Sequence, residues 1–586
     1  KVDPQFMRDH TSALALLSAS DDPATQLAAA RRFVEEKVTS GLPALAPVHG
    51  YAHPRLRIGY LSSDFCSHAV SILTAELYEL HNRQRVEVYG FCWSREDGSP
   101  LRARVVRSFD HYIRIDKMTD AEAAACIRSH EIDILIDLHG LTSGTRPDII
   151  SNRPAPVQMT YLGFPGTSAL PAVDYVLADE FVLPPELAPF FSEKPAYLPR
   201  CFQINDRKRE IGPCPTKEKA GLPEDKFIFC SFNNNFKFTE EMFACWMRIL
   251  KRVPNSVLWM VADNEWVSAN LRQAAIGHGI DPARLIFAPR VPPSEYLARY
   301  QVADLFLDSY PFNAGTTASD ALWAGLPLLT YTGRTFSSRM AGSLLRAVDL
   351  PQLITYSLQD YEDKAVLLAN DTAQIAQMKQ QLKENRLSCA LFDSPQFVSD
   401  LEDVFERLAV HPSPDQAASV APTPTIPPLA AANLIHADQV VASSEAARAQ
   451  QPLRSMSQTP INQIHNVDVL NMMRPNYRKV VEVGSSSGAL AYAYRINNPH
   501  SEYVGIEIVE EYAEKSRDYC TDVIYGDVEK LTDEEFAKLA DADCWIFADA
   551  LEHLYDPWKL LSRIQQHKKG PIDLIACHGS TIWRDA

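Results

Sequence analysis

Hydrophobic positions along the chain fall into short apolar runs separated by stretches that repeat every three to four residues. LRIGYLSSDF (56–65), VEVYGFCW (86–93) and IDILIDLHG (132–140) read as strands, with AEAAACIRSH (121–130) as a helix before the third. A second series opens at FIFCSFNNNFK (227–237) and runs through SVLWMVADN, LIFAPRV, ADLFLDSYPF and the helical SDALWAGLP. Strands alternating with helices predict parallel sheets, and two series of similar size predict an α/β protein of two facing Rossmann-like halves. A helical stretch then closes this region near residue 408.

The flanks differ. SDDPATQLAAARRFVEEKV (20–38) carries a Ser-Asp helix start and an Ala-rich amphipathic run, so residues 1–50 are expected to be helical. The halves are then bounded as 51–215 and 216–408. Residues 409–460, rich in Pro, Ala and Ser without apolar periodicity, read as a linker. A third unit occupies 461–586.

Composition narrows the function. At 586 residues with 46% hydrophobic content, the chain is globular and too long for one core. A net charge of -17 argues against nucleic-acid binding, since phosphates demand clustered Lys and Arg. No run is long and apolar enough to span a bilayer, and no signal peptide is expected. Eleven cysteines without CxxC pairing predict reduced thiols in a cytoplasmic protein and no zinc site.

Candidate chemistry gathers where strands end. In PFNAGTTASDALWAG (311–325), Gly315-Thr316-Thr317 precedes a helix expected to begin near Ser319-Asp320. Free N–H groups at such a terminus suit a phosphate, while a plain helix start also accounts for the residues, and taken alone they favour it. Asp320 would accept from ribose hydroxyls or cap the helix. Lys237, with Asn234 and Asn235 before it, either sets a charge beside a leaving diphosphate or is a loop lysine. His68 stands at a helix start, as a base for an acceptor hydroxyl or as a ring bonded to backbone. DLHGLTSGTR (137–146) and YLGFPGTS (161–168) are two more strand-to-loop passages whose glycines allow close approach.

In the third unit, RKVVEVGSSSGAL (478–490) has a strand, a small-residue turn and a helix. A second strand ends near Glu507, at the distance where an acidic side chain bonds a ribose.

From about Leu56 to Leu408 these blocks resemble the catalytic region of the O-linked N-acetylglucosamine transferases and their bacterial and SPINDLY-type relatives. RIGYLSSDFCSHAV, DILIDLHGLTSGTR, NRPAPVQMTYLGFPGTS, DYVLADE, SEKPAYLP, LKRVPNSVLWM, ADLFLDSYPFNAGTTASDALWAGLPLLT and FSSRMAGSLL match in order. The resemblance implies a GT-B fold, inverting transfer of N-acetylglucosamine from UDP-GlcNAc to protein Ser/Thr hydroxyls, and no required cofactor or metal. It implies Lys237 and His68 as catalytic, with Gly315, Thr316 and Thr317 at the diphosphate and Asp320 at the ribose. Asn234 would also contact the donor, Val291 would meet the base through its backbone, and Tyr296 and Arg299 would lie beside it. Thr142, Gly163, Phe164, Pro165 and Gly166 would border the sugar.

Pro293, Tyr296 and Gly315 depart from the common pattern, which keeps GDP-fucose and UDP-glucose open as donors. The repeat array that precedes most relatives would be reduced here to its last helices in residues 10–40, or lie outside this sequence. The third unit resembles part of a class I S-adenosylmethionine-dependent methyltransferase that ends around the fifth strand. Glu482, Gly484 and Gly488 would face the methionine, Glu507 the ribose and Asp527 the adenine, with Asp549, Glu552 and His553 after the fourth strand. A bifunctional glycan- or flagellin-modifying enzyme and a silent nucleotide-sugar-binding scaffold are the competing readings.

Overall fold

The structure, a computed structural model, describes residues 12–262, 264–409, 467–548, 554, 557–568, 570, 573–578 and 581–585. The predicted linker therefore lies almost wholly outside the described residues, as do Asp549, Glu552 and His553. The chain divides into two compact units, Lys1–Ala449 and Gln450–Ala586. Among the described residues no helix is long and apolar enough to cross a membrane.

The first unit holds two parallel sheets. One comprises β1 (Leu56–Ser62), β2 (Val86–Cys92), β3 (His111–Arg114), β4 (Ile134–Asp137), β5 (Val157–Thr160), β6 (Tyr175–Ala178) and β7 (Lys194–Tyr197), in spatial order 3-2-1-4-5-6-7. The other comprises β8 (Phe227–Ser231), β9 (Ser256–Val261), β10 (Leu285–Ala288), β11 (Leu305–Leu307), β12 (Leu328–Tyr331) and β13 (Ile354–Thr355), in order 10-9-8-11-12-13. Ile58 of β1 pairs with Val88 on one side and Ile134 on the other, and successive β1 side chains are buried on both faces of the sheet. That is why these strands read as continuous apolar runs.

Each sheet reverses strand order beside its first strand, at β1/β4 and at β8/β11. A crevice opens there at the carboxyl ends, because the connections leave toward opposite faces. The loops after β1, β4, β8 and β11 carry His68, Thr142, Lys237 and Gly315.

Two features differ from expectation. The N-terminal stretch forms two helices, Ala13–Ala19 and Pro23–Lys37, capped by Ser12 and Asp22, and helix ends well before residue 50. The helix Ser394–Leu408, assigned by its place in the chain to the second half, packs on the first sheet. Its stripe of Phe397, Val398, Leu401, Val404 and Phe405 is buried there, and Glu402 reaches His81 Nδ1 at 2.9 Å.

The second unit is one sheet of β14 (Lys479–Val483), β15 (Glu502–Glu507), β16 (Asp522–Tyr525), β17 (Cys544–Ala548), β18 (Asp573–His578) and β19 (Thr581–Asp585), ordered 16-15-14-17-18-19. The sequence pattern ended this sheet near its fifth strand. A sixth follows, antiparallel to β18, an arrangement that needs no crossover connection.

Candidate active site

Beyond β8 the chain makes a single 3₁₀ turn, Asn235–Lys237, which folds the lysine back over the sheet edge. Lys237 Nζ lies 3.7 Å from the centroid of the Phe312 ring and donates to the Asn313 carbonyl at 3.0 Å. It is half-buried in the loop after β8. Desolvation pulls its pKa down, and the buried Asp308 carboxylate opposes that pull. Asp308 is shifted upward by the same burial.

Asp308 organises the loop after β11. Its Oδ1 accepts the N–H groups of Ser309 and Ala314, each at 2.8 Å, and the Asn233 amide at 3.1 Å. Its Oδ2 accepts from Thr330 at 2.7 Å. Asn233 in turn takes the Thr317 hydroxyl at 2.5 Å, so Thr317 and Lys237 border one hydrogen-bonded network. Neither Asp308 nor Asn233 was singled out from sequence, although both immediately follow or precede quoted strand ends.

The helix after this loop is Thr316–Trp323, three residues earlier than expected, because Gly315 takes the cap position. No side chain caps it, so its first N–H groups have no side-chain acceptor. Asp320, fifth in the helix, does not cap it. Its buried carboxylate accepts from Arg209 Nη2 and is raised in pKa by burial, with Arg209 opposing. Beside it stand Tyr296, hydroxyl 2.6 Å from that of Tyr300, and buried Arg299, which donates to the Pro289 carbonyl at 2.8 Å. Arg299 lies over Phe232 and Tyr296 at 5.5 and 5.6 Å and so braces this wall. Asn234 is exposed and Val291 half-exposed, neither tied into the Asp308 network.

The first sheet contributes a separate cluster. His68 is the cap residue of the helix Ala69–Leu80: its Nδ1 accepts the Val70 N–H at 3.3 Å and lies 3.4 Å from Asp64 Oδ2. The backbone-bonded reading is thus what the ring does here, while its side chain stays 48% exposed. Asp64 also lies 3.6 Å from His139 Nε2. His139 is buried, stacked on Trp93, and accepts the Ser63 N–H at 2.8 Å through Nε2. The other nitrogen therefore carries the proton and donates to Thr142 Oγ1 at 2.9 Å. His139 was within a quoted strand end, but a histidine two residues past a strand gives no sign of its burial.

The Gly163 loop is set by packing. A β-carbon at Gly163 would lie 2.0 Å from the Leu138 carbonyl oxygen, so glycine lets this loop press against the one carrying His139. Pro165 and Gly166 are buried behind it. No hydrogen bond or ion pair joins His68 to Lys237 among the described residues.

In the second unit the turn after β14 is left-handed at Gly484, Ser486 and Gly488 (φ +77°, +47° and +77°). Glu507 at the end of β15 accepts the Ser486 N–H at 2.7 Å and the Val509 N–H at 3.0 Å. Glu482 is buried against the Tyr503 hydroxyl at 3.0 Å, and burial pushes its pKa up to about 8. Asp527 pairs with Lys530 at 2.9 Å.

A family model described as glycosyl transferase family 41 matches residues 46–213 and 213–401. A probable UDP-N-acetylglucosamine–peptide N-acetylglucosaminyltransferase SEC of Arabidopsis thaliana is 39% identical over 361 residues, 60% of this chain and 37% of that protein. The UDP-N-acetylglucosamine–peptide N-acetylglucosaminyltransferase of Caenorhabditis elegans is 28% identical, over 60% of this chain and 41% of its own. Among solved structures, a variant of a Thermobaculum terrenum O-GlcNAc transferase superposes with a TM-score of 0.62 at 27% identity, covering 71% of this chain and 79% of that one. The chain thus spans well under half the length of the curated relatives it matches.

Proposed function

The chain belongs to glycosyl transferase family 41, and on that premise we propose that it transfers N-acetylglucosamine from UDP-GlcNAc to Ser/Thr hydroxyls of protein acceptors, with inversion at the sugar's C1. One observation carries the reading: Lys237 is held over Phe312, 3.0 Å from the carbonyl of Asn313, three residues before the uncapped start of the helix Thr316–Trp323. An ammonium and unpaired helix N–H groups together favour a diphosphate.

In the reaction the acceptor oxygen bonds to C1 while the bond from C1 to the β-phosphate oxygen breaks, and its electron pair leaves with UDP. Negative charge grows on the diphosphate, where Lys237 and the helix terminus stabilise it most. Because that charge is supplied by the chain, the reading invokes no metal or cofactor for transfer. The acceptor proton passes to the exposed imidazole of His68, with the Asp64 carboxylate 3.4 Å away beside the cation formed. The relatives' names, which specify this donor and a peptide acceptor, support the assignment.

A panel of UDP- and GDP-sugars offered to the purified protein tests it. UDP release from UDP-GlcNAc is expected, and GDP release from GDP-fucose alone would overturn the donor. If no sugar nucleotide is consumed, the scaffold reading replaces transfer.

For the second unit a nucleoside-binding reading rests on strand order. The left-handed turn lies after the strand beside the β14/β17 reversal, and Glu507 stands beside the turn with oxygen lone pairs still able to accept ribose hydroxyls. The residues fit S-adenosylmethionine, which would supply a transferable methyl group. Gly484, Gly488 and Glu507 would hold it, whereas buried Glu482 would act only from behind the turn. Calorimetry with S-adenosylmethionine should show binding, and none at millimolar ligand would end this reading.

A further inference from the structure

The helix pair at residues 13–37 is tied to the second sheet through one carboxylate. Asp21, between the two helices, accepts the Tyr310 hydroxyl at 2.9 Å and the Arg334 N–H at 2.8 Å through Oδ2. Through Oδ1 it accepts the Thr335 N–H at 3.2 Å, the Thr335 hydroxyl at 3.0 Å and the Ser338 hydroxyl. All five donors are neutral, so direction and not ion pairing holds the carboxylate in place. A β-carbon at Gly333 would lie 2.2 Å from Asp21 Oδ2, so the main chain there passes the carboxylate only as glycine.

Those donors come from two loops, one of which holds the lysine while the other is bonded to that first loop. Tyr310 stacks on Tyr331 with centroids 4.0 Å apart. It leads directly into Phe312 and Asn313, which give Lys237 its ring face and its carbonyl. On the far side, the Asn313 N–H donates to the Ser337 carbonyl at 3.0 Å, within the loop that Asp21 grips.

We propose that Asp21 is a positioning residue for the diphosphate site: by binding Tyr310 and the 333–338 loop together it fixes the segment on which Lys237 rests. This makes the N-terminal helix pair a working part of the donor site, and it rests on the reading of Lys237 given above. Anything that strains or loads those helices then reaches the leaving group through Asp21.

The test compares Asp21→Asn, Tyr310→Phe and Lys237→Ala, with each of the first two also combined with the third. UDP affinity, kcat and KM for donor hydrolysis, and melting temperature are read on every variant. Asp21→Asn should lower kcat at least about tenfold, the scale on which small misplacements act, with a smaller change in KM. Tyr310→Phe, which removes a single hydroxyl and keeps the ring stack, should act in the same direction without loss of folding. Neither should lower kcat further once Lys237 is alanine, because both act through it. Unchanged kcat in Asp21→Asn and Tyr310→Phe, or losses that multiply with Lys237→Ala, would overturn the proposal. Wild-type protein that binds no UDP would instead overturn the site itself.

Discussion

Two turns in this molecule hold the same place in their sheets and differ in charge. Gly315 in the first unit and Gly488 in the second each cap a helix at a sheet's reversal point, and neither helix has a side-chain cap. Beside the first stands the Lys237 ammonium. Beside the second stands Glu507, whose carboxylate accepts the turn's Ser486 N–H and, just past its own strand, the Val509 N–H. A diphosphate gains from the first arrangement and is repelled by the second, which suits a neutral or cationic ligand with hydroxyls. Strand, turn and helix locate a ligand, and the neighbouring charge selects it.

Removing that charge should break the contrast most severely. Lys237→Ala is expected to lower kcat by about 10²–10³, roughly 3–4 kcal/mol of leaving-group stabilisation. The fold should survive, since Asp308 keeps its bonds to Ser309, Ala314, Asn233 and Thr330. Single-turnover kinetics with circular dichroism checks both halves, and near-normal turnover would dismiss Lys237 from catalysis.

On the second turn the matching change, Glu507→Ala, strips a partner from the Ser486 and Val509 N–H groups. A loss of about 1–3 kcal/mol is expected in the second unit alone. Scanning calorimetry should show one transition move and the other stay. If both stay, the left-handed glycines hold the turn without the carboxylate.

Much of this contrast was written in the sequence, and the reasons it stopped where it did are physical. Parallel strands buried on both faces give unbroken apolar runs, so β1, β4, β8 and β11 and the residues just beyond them were legible. Asp308 and Asn233 were not, because a buried carboxylate and a surface one look alike until Thr330 and Ala314 are seen donating to it. The helix Ser394–Leu408 was visible as an amphipathic stripe, but its target sheet was not, since a stripe states what must be covered and not by what. The start at Thr316 was missed because glycine caps by conformation and leaves no polar side chain to find.

A pH titration should separate the units by sign. Glu482 is raised from 4.5 to about 8 in the folded second unit, so its neutral form is the one folding favours. Its contribution is complete below 4.5 and is lost as pH rises through about 8, at no more than about 1.4 kcal/mol per pH unit. Lys237 is shifted the other way: above neutrality the unfolded first unit binds the extra proton, so its stability rises with pH toward lysine's usual range. The second unit is expected to lose stability between pH 4.5 and about 8 and the first to gain it from about 8 toward 10.5, and Glu482→Gln should flatten only the second. A unit whose stability stays flat across its own window would show that its group does not set the pH response.

The finest distinction concerns how the first turn divides its task between hydroxyl and charge. Thr317 spends its proton on Asn233 Oδ1 at 2.5 Å, and Asn233 passes the link to Asp308 and to the Ser309 hydroxyl at 2.8 Å. Thr317→Val keeps the shape, removes that donor and leaves a buried amide oxygen without its partner. The expected loss is about 0.5–1.5 kcal/mol, or roughly twofold to tenfold in kcat/KM. If the hydroxyl serves only the network, KM and kcat should shift little while stability falls. If it turns to the diphosphate when donor binds, kcat/KM should fall toward tenfold with stability nearly unchanged. A loss rivalling that of Lys237→Ala would mean that hydroxyl donors, and not the ammonium, distinguish the first turn from the second.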